Sequence, residues 1–390
     1  MIYALMIFAM IGERYFDPIV IKANRINLKS DINKIIVFSS DGVIPFQVDE
    51  IKNGNYFEGD GKFDGEDELV FYARHCGGKL NPQKINSIQD DFEEILEVSL
   101  EEKDTEEKAF CYIGVMKEEN ITKFERLLGK VNPPLLNFSN HEDDFIVEQK
   151  NRVAIFSNSS PSIKSIEILD DETGNKIKVF SGLKAEIFIK LLNLINIRKS
   201  EKDISTKVAF VKGGPVRIIR VLQPYADIGF GIKIPTSKVI SYIYEGFTYV
   251  ENTVPIPFNL RAISRSAYAN IYLKFINPKR FRSRKNDIEL QNKSGDKPPE
   301  EDWHMWGYIE GERWSAAYFI KEITKIPIER SLYFRSEGNT LEVGVHLNLL
   351  NLPKGNHKFA LYGFFFPPGE LEKAKKFVEN PLKTKIIKIK

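Results

Sequence analysis

Asp60, Asp64, Asp67 and Glu68 crowd into nine residues, with Gly61 and Gly65 between them. Like charges this close repel unless a cation or solvent intervenes, and calcium takes about six to eight oxygens from loops of this kind. Counted from Asp60, an EF-hand would require acids at positions one, three and five, glycine at six and a bidentate Glu at twelve. Position three is Lys62 and position twelve is Phe71, so the loop is not an EF-hand. Two readings stay open. One is a looser structural site for a calcium ion (Ca2+), taking side-chain oxygens from Asp60, Asp64 and either Asp67 or Asp49. The other is a solvated, charged hairpin turn in which Asp and Gly serve geometry alone.

A second constellation is Trp303, His304, Trp306 and Trp314, which places all three tryptophans of the chain within twelve residues. Flat indoles on a sheet are platforms for sugar rings, and the same apolar area serves a core equally well. Strand alternation puts His304 and Trp306 on one face and Trp303 and Met305 on the other. Arg217 and Arg261 join this set as candidate ligand-binding residues. A lyase acting on a uronate-containing polysaccharide works with a Lys, Tyr, Arg or His base and leaves no compact motif. Arg217, Arg220, Tyr225, Arg261, Arg265, Tyr268 and His304 are of the right types for such a site, and each is equally a sheet-surface or turn residue.

No catalytic residue is assigned. The five histidines, His75, His141, His304, His346 and His357, are scattered, and the chain has no H-E-x-x-H, G-x-S-x-G or P-loop motif. Gly213-Gly214-Pro215 precedes a strand rather than a helix, so it lacks the helix N-terminus that cradles phosphate. The basic run Lys279, Arg280, Arg282, Arg284 and Lys285 is nearly cancelled by Asp287, Glu289, Asp296, Glu300 and Glu301, as expected of a solvated loop.

The elements that must position these residues are written mostly in period two, with β-branched and aromatic residues alternating with polar ones between Gly, Pro, Asn and Asp clusters. Clear strands are predicted at Lys34–Phe38, Ile44–Ile51, Glu68–Ala73, Glu94–Leu100, Ala109–Val115, Ser162–Leu169, Val216–Leu222, Lys238–Val250, Ala269–Phe275, Ser331–Arg335, Thr340–Leu347 and Lys358–Phe366. Asp41-Gly42 supplies the turn of a tight hairpin between the first two. Leu183–Ile197 reads as a helix or a long strand, and Glu370–Glu379, stopped by Asn380-Pro381, as a short amphipathic helix. The fold class is mainly β, with two or three antiparallel β-sandwich-like domains and few short helices; strand–helix alternation is missing. The expected division is an N-terminal β domain over 13–130 carrying the acidic loop, a central β domain over 145–276, and a C-terminal β segment over 303–390 that extends the central sandwich or stands beside it.

At 390 residues, 42% hydrophobic, the chain can bury real cores. Its 56 Lys+Arg and 54 Asp+Glu leave a net charge of +2, so no field exists to hold nucleic acid. The interspersed Lys and Glu match a bias of heat-adapted proteins. Cys76 and Cys111 cannot close a zinc site alone, and either pair in one disulfide or stand as two buried thiols. Residues 1–12 open on the apolar run MIYALMIFAMI, too short to span a bilayer and of a length suited to a signal-peptide core or to a first buried strand. An extracytoplasmic location follows from the first reading, and no transmembrane span is expected elsewhere.

The elements Ile44-Pro45-Phe46-Gln47-Val48-Asp49-Glu50 and Asp60-Gly61-Lys62 through Asp67-Glu68-Leu69-Val70-Phe71 resemble a group of exported bacterial and archaeal proteins with an (V/I)PFQVDE segment followed by DGK-x-D-x-x-DELVF. The resemblance is strong over Ile44–Ala73 and weaker over Val211–Arg220 (VKGGPVRIIR). It implies a β-sandwich-rich, exported protein and assigns no activity. The functional expectation is an envelope or extracellular protein with a non-catalytic binding or structural role, its partner a glycan or an envelope protein; a polysaccharide-active enzyme, lyase or glycoside hydrolase-like, is the competing class.

Overall fold

The computed structural model describes Arg14 and residues 17–103, 107–121, 136–149, 151–169, 173–191, 194–227, 233–235, 238–256, 259–290, 306–324 and 329–390. The fold is mainly β with few short helices, as the alternation predicts. It divides into two compact units: one drawn from residues 1–135, 213–217 and 372–390, the other from 136–212 and 218–371.

In the first unit a three-stranded sheet, ordered Pro18–Lys22, Glu68–Tyr72, Phe46–Asp49, packs on a five-stranded one, ordered Lys383–Lys388, Phe92–Glu101, Lys108–Met116, Ile35–Ser39, Gly42–Val43. Ile19, Ile21, Val48, Leu69 and Phe71 from the smaller sheet share one apolar cluster with Val37, Val98, Cys111 and Ile113 from the larger. The other face of the larger sheet buries Ile36, Phe38, Ile95 and Tyr112 against Leu80, Ile85 and Ile88. The last two lie on the helix Pro82–Ile88, which starts at Asn81, whose side chain accepts from Lys84 N–H at 2.7 Å, with proline in the first turn. Strands covered on both faces lose alternation, which is why Ile35–Ser39 and Glu68–Tyr72 are buried at every position.

The Asp41-Gly42 hairpin forms, but its return strand is only Gly42–Val43. Pro45 has no N–H to continue the ladder, and Phe46–Asp49 crosses to the smaller sheet, pairing with Glu68–Tyr72. The predicted pair around Glu101–Lys108 is found as Phe92–Glu101 against Lys108–Met116.

The second unit is a larger sandwich of a nine-stranded and a ten-stranded sheet. Phe145, Phe156, Phe180, Phe275 and Val343 from the former meet Ile218, Ile243, Ile309, Ala316 and Tyr318 from the latter. The ambiguous Leu183–Ile197 segment is extended: Lys176–Leu191 is one long strand, followed by its hairpin partner Ile195–Ser200. Lys238–Val250, predicted as one strand, is two, Val239–Tyr244 and Phe247–Ile256, folded back around Gly246 at φ 88°. Described strands from Trp306 to Phe366 belong to the same sandwich as the 145–276 block, and Lys383–Lys388 belongs to the first unit. The helix expected before Asn380-Pro381 spans Leu371–Glu379. The apolar run at residues 1–12 lies outside the described residues, among which no helix is long and apolar enough to cross a membrane.

Candidate functional site

The acidic motif of the first unit holds anions, and they are its own. Gly59, at φ 103°, turns the backbone so that the N–H groups of Asp60 and Gly61 donate to Glu50 Oε1 at 2.7 and 2.9 Å. A Cβ on Gly59 would overlap the Glu50 carboxylate, so only glycine fits. Asp67, buried, accepts from Ile51 N–H at 2.6 Å and from Asp64 N–H at 2.9 Å, and Asp60 Oδ1 accepts from Lys62 N–H at 3.1 Å. Burial raises the Asp67 carboxyl above its usual range, with Asp64 and Asp60 adding to the rise and its two backbone donors opposing it. Asp60 and Asp64 are exposed. Among the described residues no group of three or more His, Cys, Asp or Glu side chains is placed to hold a metal ion.

A second set of contacts ties the same motif to another segment of the unit. Gln47 Oε1 accepts from Val216 N–H (3.3 Å) and Arg217 N–H (3.0 Å), while its amide donates to Asp49 at 2.8 Å. Arg217, 2% exposed, pairs with Asp49 at 2.8 Å and Glu68 at 2.5 Å, and Tyr72 donates to Val216 O at 3.0 Å. PFQVDE, DELVF and GGPVR are thus one buried polar network that fixes the tip 213–217. Arg217, predicted as a ligand-binding residue, is sealed by its own carboxylates.

Trp303 and His304 lie outside the described residues. Trp306 is half-buried in the strand Trp306–Glu310. Trp314 is 5% exposed and stacked on Phe275 at 6.0 Å, so its indole is core rather than platform. Arg261 is exposed on a short turn and Arg220 is buried over the Phe145 and Phe156 rings, its pKa pulled down to about 10 by burial.

The outer face of the nine-stranded sheet gathers a different set. Register aligns side chains in rows across Lys176–Leu191, Ser264–Ile276, Thr340–Asn348 and Arg330–Glu337: Phe188, Tyr268 and Asn348; then Glu186, Asn270, His346 and Ser331; then Lys184, Tyr272, Gly344 and Tyr333; then Lys274, Glu342 and Arg335. Leu341, Val343 and Val345 alternate inward, which fixes the outward facing of the polar residues between them. Tyr272 and Tyr333, in register on either side of Gly344, stack at 4.5 Å. Tyr272 Oη donates to Glu186 at 3.1 Å and Tyr333 Oη to Glu342 at 3.4 Å, with Lys274 Nζ 3.0 Å from Glu342. Burial, then the Glu186 and Glu342 charges, push the Tyr272 phenol well above its usual range, and Tyr333 rises for the same reasons. His346 Nδ1 lies 2.7 Å from Asn270 Oδ1. The His346 ring sits 5.4 Å from Tyr268, itself stacked on Phe188 at 5.0 Å. Beside them opens a groove of about 460 Å³ lined by Glu186, Phe188, Arg198, Ser200, Asp203 and Tyr268.

Such a surface offers an aromatic face, two carboxylate acceptors and phenol, amide and ammonium donors. It has the parts that a polyhydroxylated ring with one apolar face requires. Of the predicted residues only Tyr268 falls here, together with His346, which sequence reading noted as one of five scattered histidines. Glu186, Asn270, Tyr272, Tyr333 and Glu342 were not singled out; their signal is an outward position on four strands whose alignment only the sheet reveals.

No family model matches the chain, and no curated protein matches it. Among solved structures it is similar to an alpha-mannosidase from Enterococcus faecalis V583, at 8% identity and a TM-score of 0.47, over 97% of this chain and 45% of that one. It is also similar to a protein in the glycosyl hydrolase family 38 from Enterococcus faecalis, at 8% identity and a TM-score of 0.48, over 92% of this chain and 42% of that one. The chain spans less than half the length of either.

Proposed function

We propose that the protein is an exported glycan-binding protein whose second unit holds a neutral sugar on the outer face of its nine-stranded sheet. The observation that carries this reading is the Tyr272–Tyr333 stack braced by Glu186 and Glu342, next to the Tyr268-lined groove. A sugar ring laid on Tyr268 buries its C–H face, while vicinal hydroxyls donate to Glu186 and accept from the Asn270 amide. The groove volume falls within the range of about 300–1,000 Å³ common for small-ligand sites. Removal to the envelope or beyond agrees with the resemblance of the PFQVDE and DELVF elements to exported proteins.

The test is calorimetric titration with a panel of neutral and uronate oligosaccharides. Tyr268→Ala and Glu186→Gln are expected to weaken the best neutral ligand at least tenfold (about 1.4 kcal/mol) with the unfolding midpoint unchanged. A panel on which no glycan binds, or variants that bind as the wild type does, would overturn the proposal. Release of reducing ends by the wild type, lost in Glu342→Gln while binding persists, would move the protein to the enzyme class.

A further inference from the structure

The first unit brings its two cysteines opposite one another. Gly77 and Phe110 exchange both backbone hydrogen bonds, Gly77 N–H to Phe110 O at 3.0 Å and Phe110 N–H to Gly77 O at 2.8 Å. In antiparallel pairing the neighbours of such a doubly bonded pair are a close pair with no hydrogen bonds between their backbones. One step back along one segment and one step on along the other lead to Cys76 and Cys111. Cys76 keeps the extended backbone this pairing needs, at φ −76° and ψ 152°. Residues so placed have Cα atoms about 4.5 Å apart, inside the roughly 4.4–6.8 Å that a disulfide spans. Both thiols are free and in hydrogen-bond contact; Cys76 is half-buried and Cys111 fully buried.

We infer that Cys76 and Cys111 are the two halves of a disulfide that closes when the folded protein meets a small disulfide oxidant. The half-buried thiol is the point of entry. Cys76 thiolate attacks one sulfur of the oxidant, RSSR, forming Cys76–S–S–R and expelling RS⁻. Cys111 sulfur, already against Cys76, then displaces the second RS⁻ from Cys76 Sγ. Two protein thiols have lost two hydrogens, one S–S bond has replaced another, and the oxidant has become two RSH. Burial pushes the Cys111 thiol well above its usual range, so closure accelerates as pH rises. The loop so closed contains the helix Pro82–Ile88 and the strand Phe92–Glu101, which lies between Lys383–Lys388 and Lys108–Met116 in the five-stranded sheet. Its closure restricts the unfolded chain.

The experiment incubates the folded full chain with oxidised glutathione at pH 8, then alkylates under denaturing conditions for intact-mass and peptide analysis. Both alkylation sites are expected to disappear together, with one peptide pair linked through Cys76 and Cys111, and the unfolding midpoint of this unit rises by on the order of 5–10 °C. Cys76→Ser, at the half-buried position, is expected to fold, to form no cross-link and to show no shift with oxidant. A lasting single glutathione adduct on Cys76 with Cys111 still alkylated, or a cross-link that appears only after the chain has been unfolded, overturns the inference.

Discussion

Removing the Arg217 guanidinium takes away the counter-charge that buried Asp49 and Glu68 share. Arg217→Ala is therefore expected to cost the first unit about 3–5 kcal/mol, read from chemical denaturation, with glycan binding by the second unit retained. Gly344 makes the opposite kind of test. An added Cβ would come within 2.0 Å of Ile271 O and 2.6 Å of Tyr272 Cα. Gly344→Ala should therefore spread the Tyr272–Tyr333 stack, weakening sugar binding severalfold and lowering stability by about 1–3 kcal/mol; unchanged titration isotherms would contradict this. Asp17 supplies a pH dependence. Burial raises its carboxyl from 3.8 to about 6, against the pull of Arg14 at 3.2 Å, and Glu102 adds to the rise. A folded pKa above the unfolded one means that the protonated form favours folding, so this contribution is complete below about pH 4 and is lost as pH climbs through about 6. The loss is about 3 kcal/mol. Asp17→Asn should remove that slope, which denaturation midpoints of wild type and variant at pH 4.5 and 7 would reveal.

Strands were legible because their chemistry is local. The alternation of Thr340–Asn348 and the Glu94–Leu100 and Ala109–Val115 pair needs only neighbouring residues to read. Where the reading failed, a single residue redirected the chain: Gly246 folded one predicted strand into two, and Pro45 sent Phe46–Asp49 to another sheet. The candidate site was hidden for a different reason. Glu186, Tyr272, Tyr333 and Glu342 each look like an ordinary solvent-facing residue, and their meeting depends on pairings between strands far apart in sequence. For the acidic loop, carboxylate spacing alone does not show whether backbone N–H groups or a cation satisfy the charges. Lys383–Lys388 gives a prediction at this scale. It covers the edge of Phe92–Glu101 and, with Leu382 just before it, packs Ile386 against the core of its unit. A chain cut after Asn380 bares that edge and should self-associate, visible as a rise in scattering mass; a monodisperse monomer would contradict this.

For the molecule as a whole, near-balanced charge has a measurable corollary. With a net charge of +2, affinity for a neutral glycan is expected to vary less than twofold between low and high salt, because little of it arises from long-range attraction. A steep salt dependence would point to an anionic partner. The chain also visits the first unit three times, through residues 1–135, then 213–217, then 372–390. Synthesis runs from the amino end, so the first unit waits on the second: its arginine counter-ion is residue 217, and its outer strand, residues 383–388, follows the described strands of the other sandwich. A nascent chain stalled before residue 383 carries a first unit that cannot close, while every described strand of the second has already been translated.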